Sequence, residues 1–141
     1  MVMGVSIRSK NGVHSFDCGY GGFFNLRKNI AYCISVNFGM LYENALQLNS
    51  DNHDKDIQLL NNHIAEFNLD EKYADVIDFL FESDCEGKIN YKTCKNIYDL
   101  MKDVDFGKKC FRYGAYAHND YEEFKEFLLD CYSHRKNMYW S

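Results

Sequence analysis

The alternation of apolar and polar residues at the start of the chain predicts a β-hairpin. Val5 and Ile7 alternate with small or polar residues, and Asn11-Gly12 is the strongest short signal for a two-residue hairpin turn. A turn at this position places Ile7 opposite Phe16 and Val5 opposite Cys18. All four side chains then share one face, so the turn and the apolar pattern agree.

After the hairpin, apolar residues at helical spacing predict four to five helices. This spacing runs over 26–34 and continues after a break over 41–48, and it recurs over 57–67, 73–81, 94–101 and 124–131. We expect a break in the helical pattern near Asn37–Gly39 and a loop at Ser50–Asn52. Asn119, followed three residues later by Glu122, resembles a capping box at the start of the last helix. Residues 137–141 have the pattern of a short C-terminal strand that joins the hairpin.

The chain of 141 residues is therefore predicted to form a single α+β domain over residues 1–141, with an N-terminal β-hairpin followed by the helices. No run of about 20 apolar residues is present, and the first residues do not resemble a leader peptide, which favours a cytoplasmic protein. The six cysteines include no Cys-x-x-Cys pair. We expect reduced, largely buried thiols, with neither a disulfide framework nor a zinc site.

The charge is unevenly distributed along the chain. The net charge is −5, but residues 51–86 contain eleven Asp and Glu against Lys55 and Lys72, whereas the remainder carries an excess of positive charge. A molecule that is negative overall repels the phosphates of duplex DNA. This charge distribution argues against duplex binding and leaves room for a local basic site outside the acidic segment.

The acidic loop at residues 82–89 combines alternating carboxylates with a glycine between two predicted helices. Asp84, Cys85, Glu86 and Gly87 are its central residues. With Gly87 as the sixth residue of a calcium loop, Glu82, Asp84 and Glu86 take the first, third and fifth positions, but the twelfth is Thr93, where calcium loops have a bidentate Glu. The simpler interpretation is a helix end, a glycine turn and a new helix start, and we predict no metal site.

A second motif is the glycine-rich segment at residues 19–27, Gly-Tyr-Gly-Gly-Phe-Phe-Asn-Leu-Arg. Gly21 and Gly22 allow close approach to the backbone, and amides at a helix start attract anions. Tyr20 or Phe23 offers a ring for stacking, and Arg27, predicted to face outward, offers a charge for a phosphate. The alternative is a strand-to-helix turn with its phenylalanines in the core. No P-loop or dinucleotide spacing is present.

A third candidate is the basic and aromatic segment at residues 108–116. Lys108, Arg112 and Tyr113 interleave positive charge with a ring, a combination that suits a free nucleotide or a single strand. A basic loop that balances the acidic segment, within the chain or between subunits, is the alternative. For catalysis, the sequence has no Ser/His/Asp or His-Glu-x-x-His spacing, and we predict no catalytic residue and no cofactor.

The glycine-rich segment and the acidic loop also resemble segments of other proteins. Gly-Tyr-Gly-Gly-Phe with the following Leu-Arg at residues 19–27, and Ser-Asp-Cys-Glu-Gly at residues 83–87, resemble segments of small uncharacterised bacterial and phage proteins. The similarity covers residues 4–34 and 80–101, with a Phe-rich final helix. It implies no particular activity. A phage origin would favour a role in countering host defence.

Taken together, these patterns predict a non-enzymatic cytoplasmic binding protein that sequesters an anionic, nucleotide-like ligand through Tyr20, Phe23 and Arg27, assisted by Lys108, Arg112 and Tyr113. One alternative is a protein–protein inhibitor or adaptor that uses the acidic 51–86 face. Another is a hydrolase of a nucleotide signal, which needs a general base or a metal near the ligand. The chain has 22 Phe and Tyr residues, which favours a homo-oligomer, and no membrane partner is expected.

Overall fold

A computed structural model describes residues 4–9, 15–47, 51–107, 109–112 and 119–141. These residues form four β-strands and seven α-helices, which confirms the α+β class. In the N-terminal hairpin, β1 (Ser6–Ser9) pairs antiparallel with β2 (Ser15–Asp17). Ile7 lies opposite Phe16 as predicted, and the Cys18 amide donates to the Val5 carbonyl at 2.9 Å. The turn predicted at Asn11-Gly12 lies outside the described residues.

Two further strands complete an antiparallel sheet with the order β2-β1-β4-β3. The C-terminal strand β4 (Met138–Trp140) pairs with β1, which confirms that the C-terminal segment joins the hairpin. Strand β3 (Gly87–Ile89) pairs with β4 and was not predicted, because three residues are too few to show an alternating pattern. One face of the sheet is buried through Ile7, Phe16, Ile89, Met138 and Trp140.

The helices supply most of the chain and cover the buried face of the sheet. They are α1 (Gly19–Ile34), α2 (Val36–Leu46), α3 (His53–Glu66), α4 (Leu69–Lys72), α5 (Ala74–Phe81), α6 (Tyr91–Met101) and α7 (Asp120–Ser133). Their buried apolar residues join those of the strands in one core cluster. Among the described residues, none of the helices combines the length and the apolar character needed to cross a membrane.

The break predicted near Asn37–Gly39 is wrong, because those residues lie inside α2. The helices α1 and α2 are instead separated at Ser35, whose backbone is extended and whose Oγ accepts a hydrogen bond from the Phe38 amide at 3.0 Å. This is a standard N-cap for α2. Position 39 in this helix requires glycine, because the ring of Tyr32 occupies the space that a side chain would need.

The capping box predicted at the start of α7 is also wrong. Asn119 has a left-handed backbone with φ of 65°, and its side chain makes no capping hydrogen bond. The amide of Glu123 is bonded to the main-chain carbonyl of Asn119 at 3.0 Å instead. The helix itself follows its predicted pattern, with Phe124, Phe127 and Leu128 buried.

Candidate functional site

The glycine-rich segment forms the start of α1 and packs tightly against the rest of the molecule. Gly19 has a positive φ of 63°, a conformation that favours glycine. A Cβ on Gly22 would lie 2.8 Å from the main-chain oxygen of Phe111, so only glycine fits this contact without movement. The backbone conformation at Gly19 and the packing at Gly22 therefore explain these two glycines without any ligand.

A cleft of about 300 Å³ lies where α1, α2 and the end of α5 meet the acidic loop. Its volume is at the lower end of the range for small-molecule pockets. The two motifs singled out in the sequence meet here, because the start of α1 forms one wall and residues 82–84 form another. The lining residues are Tyr20, Phe23, Phe24, Arg27, Tyr42, Leu46, Leu80, Phe81, Glu82, Ser83 and Asp84.

Arg27 forms part of the cleft wall from a buried position. The prediction that it faces outward is wrong, since only 5% of the residue is exposed. Its Nη1 and Nη2 donate to the carbonyls of Glu82 and Ser83 at 2.7 and 3.3 Å, and the guanidinium lies 4.1 Å from the ring centre of Phe23. Burial lowers the pKa of Arg27, and Tyr42, followed by the carboxylates of the loop, opposes this effect. The Nε–H has no hydrogen-bond partner among the described residues.

Trp140 fixes the acidic loop from the opposite side. Its Nε1 donates to the Ser83 carbonyl at 2.9 Å, and its ring contacts those of Phe23 and Phe79. A Cβ on Gly87 would collide with the same indole ring, so the glycine allows the loop to enter β3 beside Trp140. The loop is thus held by two side chains that are distant from it in sequence.

The mouth of the cleft carries polar groups and lies beside the Cys85 thiol. Tyr20 is 40% exposed, and its hydroxyl is close enough to the Cys85 thiol that this interaction is the main cause of the raised pKa of Tyr20. The Sγ of Cys85 lies 3.6 Å from Oδ1 of Asp84. The side chains of Glu82 and Asp84 are exposed at this edge. The mouth therefore has negative charge above a largely aromatic interior.

Several lining residues were missed by sequence reasoning. Phe24 and Tyr42 stack with ring centres 6.3 Å apart, and Phe81 packs edge-on against Tyr42 at 5.8 Å. The Tyr42 hydroxyl donates to the Leu80 carbonyl at 2.8 Å, and burial raises the pKa of Tyr42. Helical spacing marks Tyr42 and Phe81 as apolar stripe residues. Nothing local in the sequence shows that α1, α2 and α5 would leave a cleft between them.

Of the three site residues predicted from the basic segment, the structure describes only Arg112. Arg112 is absent from the cleft lining in the described part of the chain. Its Nη2 pairs with Glu123 at 3.0 Å, its Nε lies 3.6 Å from Asp120, and its guanidinium is 5.0 Å from the ring centre of Phe16. Lys108 and Tyr113 lie outside the described residues. The structure therefore does not bring Arg27 and Arg112 together in one pocket.

Within the described ranges, no group of three His, Cys, Asp or Glu side chains is arranged to hold a metal ion. Three of the six cysteines, Cys18, Cys94 and Cys131, are buried thiols. The Asn90 side chain accepts a hydrogen bond from the Thr93 amide at 3.0 Å, so it caps α6 directly after β3. The acidic loop thus ends one helix, passes through a short strand and leads to a capped helix.

No family model, no curated protein and no solved structure matches this chain. The cleft geometry therefore provides the basis for a functional assignment.

Proposed function

We propose that the protein is a non-enzymatic cytoplasmic binding protein, and that its cleft captures the flat, amine-bearing base of a nucleotide-like ligand. The observation that carries this proposal is the meeting of the two sequence motifs around an aromatic cleft with carboxylates at its mouth. Rings provide stacking surfaces for a planar ligand. Exposed carboxylates accept hydrogen bonds and favour amino groups.

The orientation of the ligand follows from the charges. Arg27 is the one cation of the cleft lining within the described residues, and its two Nη groups already donate to main-chain carbonyls. Glu82 and Asp84 at the mouth repel a phosphate placed beside them. We therefore place the base inside, against Tyr20 and Phe81, with its amino group toward Asp84. The anionic part of the ligand then points to solvent, away from the carboxylates.

A thermal-shift screen tests this proposal. Adenosine, cytidine and their monophosphates, which carry an exocyclic amine, should raise the melting temperature more than uridine and thymidine do. A ligand present at about 100 times its Kd adds about 2.7 kcal/mol of stability, which corresponds to a shift of about 10 °C for a chain of this size. Absence of a shift with every nucleoside and nucleotide, in a protein that melts cooperatively, would contradict the proposal.

Matched variants locate the site. Asp84→Asn and Tyr20→Leu each change an exposed side chain of the cleft and should remove most of the ligand-induced shift. Asp54→Asn changes an exposed carboxylate of α3, outside the cleft, and should retain the full shift. Chromatography of ligand released by heating distinguishes capture from the hydrolase alternative, because an intact ligand shows binding and a cleaved ligand shows turnover.

A second candidate is supported by the acidic face. The carboxylates of Glu66, Asp70, Glu71 and Asp78 are exposed, and none has an ion-pair partner within the part of the chain that the structure describes. Uncompensated negative charges attract a partner of opposite charge. A basic protein that binds here should lose affinity with Asp70→Lys and keep it with Asp103→Lys, which reverses an exposed carboxylate outside residues 51–86, measured with the purified partner.

The proposal also includes a homo-oligomer and a role in countering host defence. A homo-oligomer is favoured by exposed apolar side chains on neighbouring helices, with Val36, Met40 and Phe67 at least half exposed. Light scattering of the purified protein measures its mass and tests this. If the chain comes from a phage, as the resemblance suggests, the captured ligand would be a signal of host defence.

A further inference from the structure

A second depression lies between α6 and the end of α7, separate from the cleft. We call it the α6–α7 groove; it has a volume of about 660 Å³. Tyr91, Lys92 and Lys95 line it from α6, and Tyr132 and Arg135 line it from the other side. The groove therefore combines three cations with two aromatic rings, whereas the mouth of the cleft is acidic.

The cations of the groove are largely uncompensated. Lys92 and Arg135 are exposed, and neither has a carboxylate within 4 Å among the residues that the structure describes. Lys95 is shared: its Nζ pairs with Asp99 at 2.5 Å and lies 5.8 Å from the ring centre of Tyr132. A surface ion pair of this kind contributes little to stability, so Lys95 can also contact a phosphate. The lining residues of the groove carry three positive charges in a molecule whose net charge is negative.

The rings define what kind of anion fits. Tyr91 and Tyr132 lie with their centres 6.3 Å apart, and Tyr132 is 40% exposed. An exposed ring beside cations offers a stacking surface for a base whose phosphate contacts the lysines or Arg135. An acidic peptide would satisfy the cations but would leave the rings without a planar partner. A duplex hides the faces of its bases, so it cannot use them either.

We propose that the α6–α7 groove binds a phosphorylated nucleoside, either free or as part of a single strand of nucleic acid. Phosphate contacts come from Lys92, Lys95 and Arg135, and Tyr132 stacks on the base. This site is independent of the cleft. Nucleic acid would then contact the protein on the face that carries Lys92, Lys95 and Arg135.

Fluorescence anisotropy with a short labelled oligothymidylate tests the groove. Thymine has no exocyclic amine, so this probe is a poor ligand for the cleft as proposed above, and failure of one proposal leaves the other testable. With three phosphate contacts, the affinity should fall about 20-fold between about 50 and 200 mM salt. Absence of salt-sensitive binding at the lower salt concentration would overturn the proposal.

The decisive variant is Lys92→Gln combined with Arg135→Asn. Arg135 has a left-handed backbone with φ of 53°, which asparagine tolerates, so the turn after α7 is kept. At about 50 mM salt, this variant should bind more weakly than the natural protein. Its affinity should then fall only about 3-fold between about 50 and 200 mM salt. Lys55→Gln with Lys72→Gln removes the same charge from α3 and α4 and should bind as the natural protein does. Equal binding by the two double variants would contradict the site.

Stacking is tested separately. Tyr132→Leu should weaken binding roughly tenfold while leaving the salt dependence unchanged, because a ring and not a charge is removed. Competition with thymidine monophosphate distinguishes the two sources of the ligand: full competition at equal nucleotide concentration supports a free nucleotide, and weak competition supports a strand. Competition by polyglutamate as strong as that by the oligonucleotide would overturn the assignment in favour of an acidic protein.

Discussion

Arg27 is buried, and within the part of the chain that the structure describes no carboxylate lies within 4 Å of its guanidinium. Two main-chain carbonyls and the face of Phe23 compensate its charge instead. This arrangement fixes residues 82 and 83 against α1, so a residue that the helical pattern places outward determines where the acidic loop lies. The side chain that was predicted to contact phosphate is used first to build the cleft.

At the scale of single residues, the neighbouring glycines of α1 make a matched test. Gly22→Ala should lower the free energy of unfolding by about 2 kcal/mol, because its Cβ would lie 2.8 Å from the Phe111 carbonyl and 3.0 Å from the Cys18 Cβ. Gly21 is exposed, so Gly21→Ala should leave stability unchanged or raise it by up to about 1 kcal/mol. Urea denaturation of both variants checks this, and equal effects would contradict the packing described.

At the scale of elements, local patterns predicted the strands and helices whose formation depends on residues close together in the sequence. The hairpin register and α7 follow from spacing within a few residues, and both are confirmed. Strand β3 and the cleft depend on contacts between distant segments, such as Trp140 with Ser83, which no local pattern encodes. For the same reason the sequence offered both motifs as candidates without showing that they meet.

Helix capping provides the test at this scale. Asn90→Ala should lower the free energy of unfolding by about 1 kcal/mol, since its side chain holds the Thr93 amide at the start of α6. Asn119→Gly should cause no loss, because Asn119 makes no side-chain cap and has a left-handed backbone that glycine prefers. Chemical denaturation compares the two. A larger loss for Asn119→Gly would show that the asparagine side chain contributes to the cap after all.

At the scale of the whole molecule, several ionisable groups are kept neutral by the core. Burial raises the pKa of Cys18 from 9.0 to about 12, and Arg112 partly opposes this rise. Burial also raises the pKa values of Tyr42 and Tyr121. In each case the unfolded chain releases its proton at a lower pH than the folded protein does. The folded state is therefore weakened by alkali.

The sign of this effect gives a prediction. The stabilisation from the Cys18 thiol is complete below about pH 9 and is lost as the pH rises toward 12, with a loss of about 1 kcal/mol at about pH 10. Denaturation at about pH 8 and about pH 10 measures the loss. Cys18→Ala should show a smaller difference between the two pH values than the natural protein shows. An identical difference would mean that the thiol does not take part.

The position of β4 determines when the cleft can exist during synthesis. β3 ends at residue 89 and β4 begins at residue 138, yet β4 lies between β3 and β1 in the sheet. A nascent chain that has not reached Trp140 leaves two strand edges open and lacks the indole that holds Ser83. The cleft can therefore take this form only in chains that have been extended past β4, because the sheet and the Trp140 contact with Ser83 both require that strand.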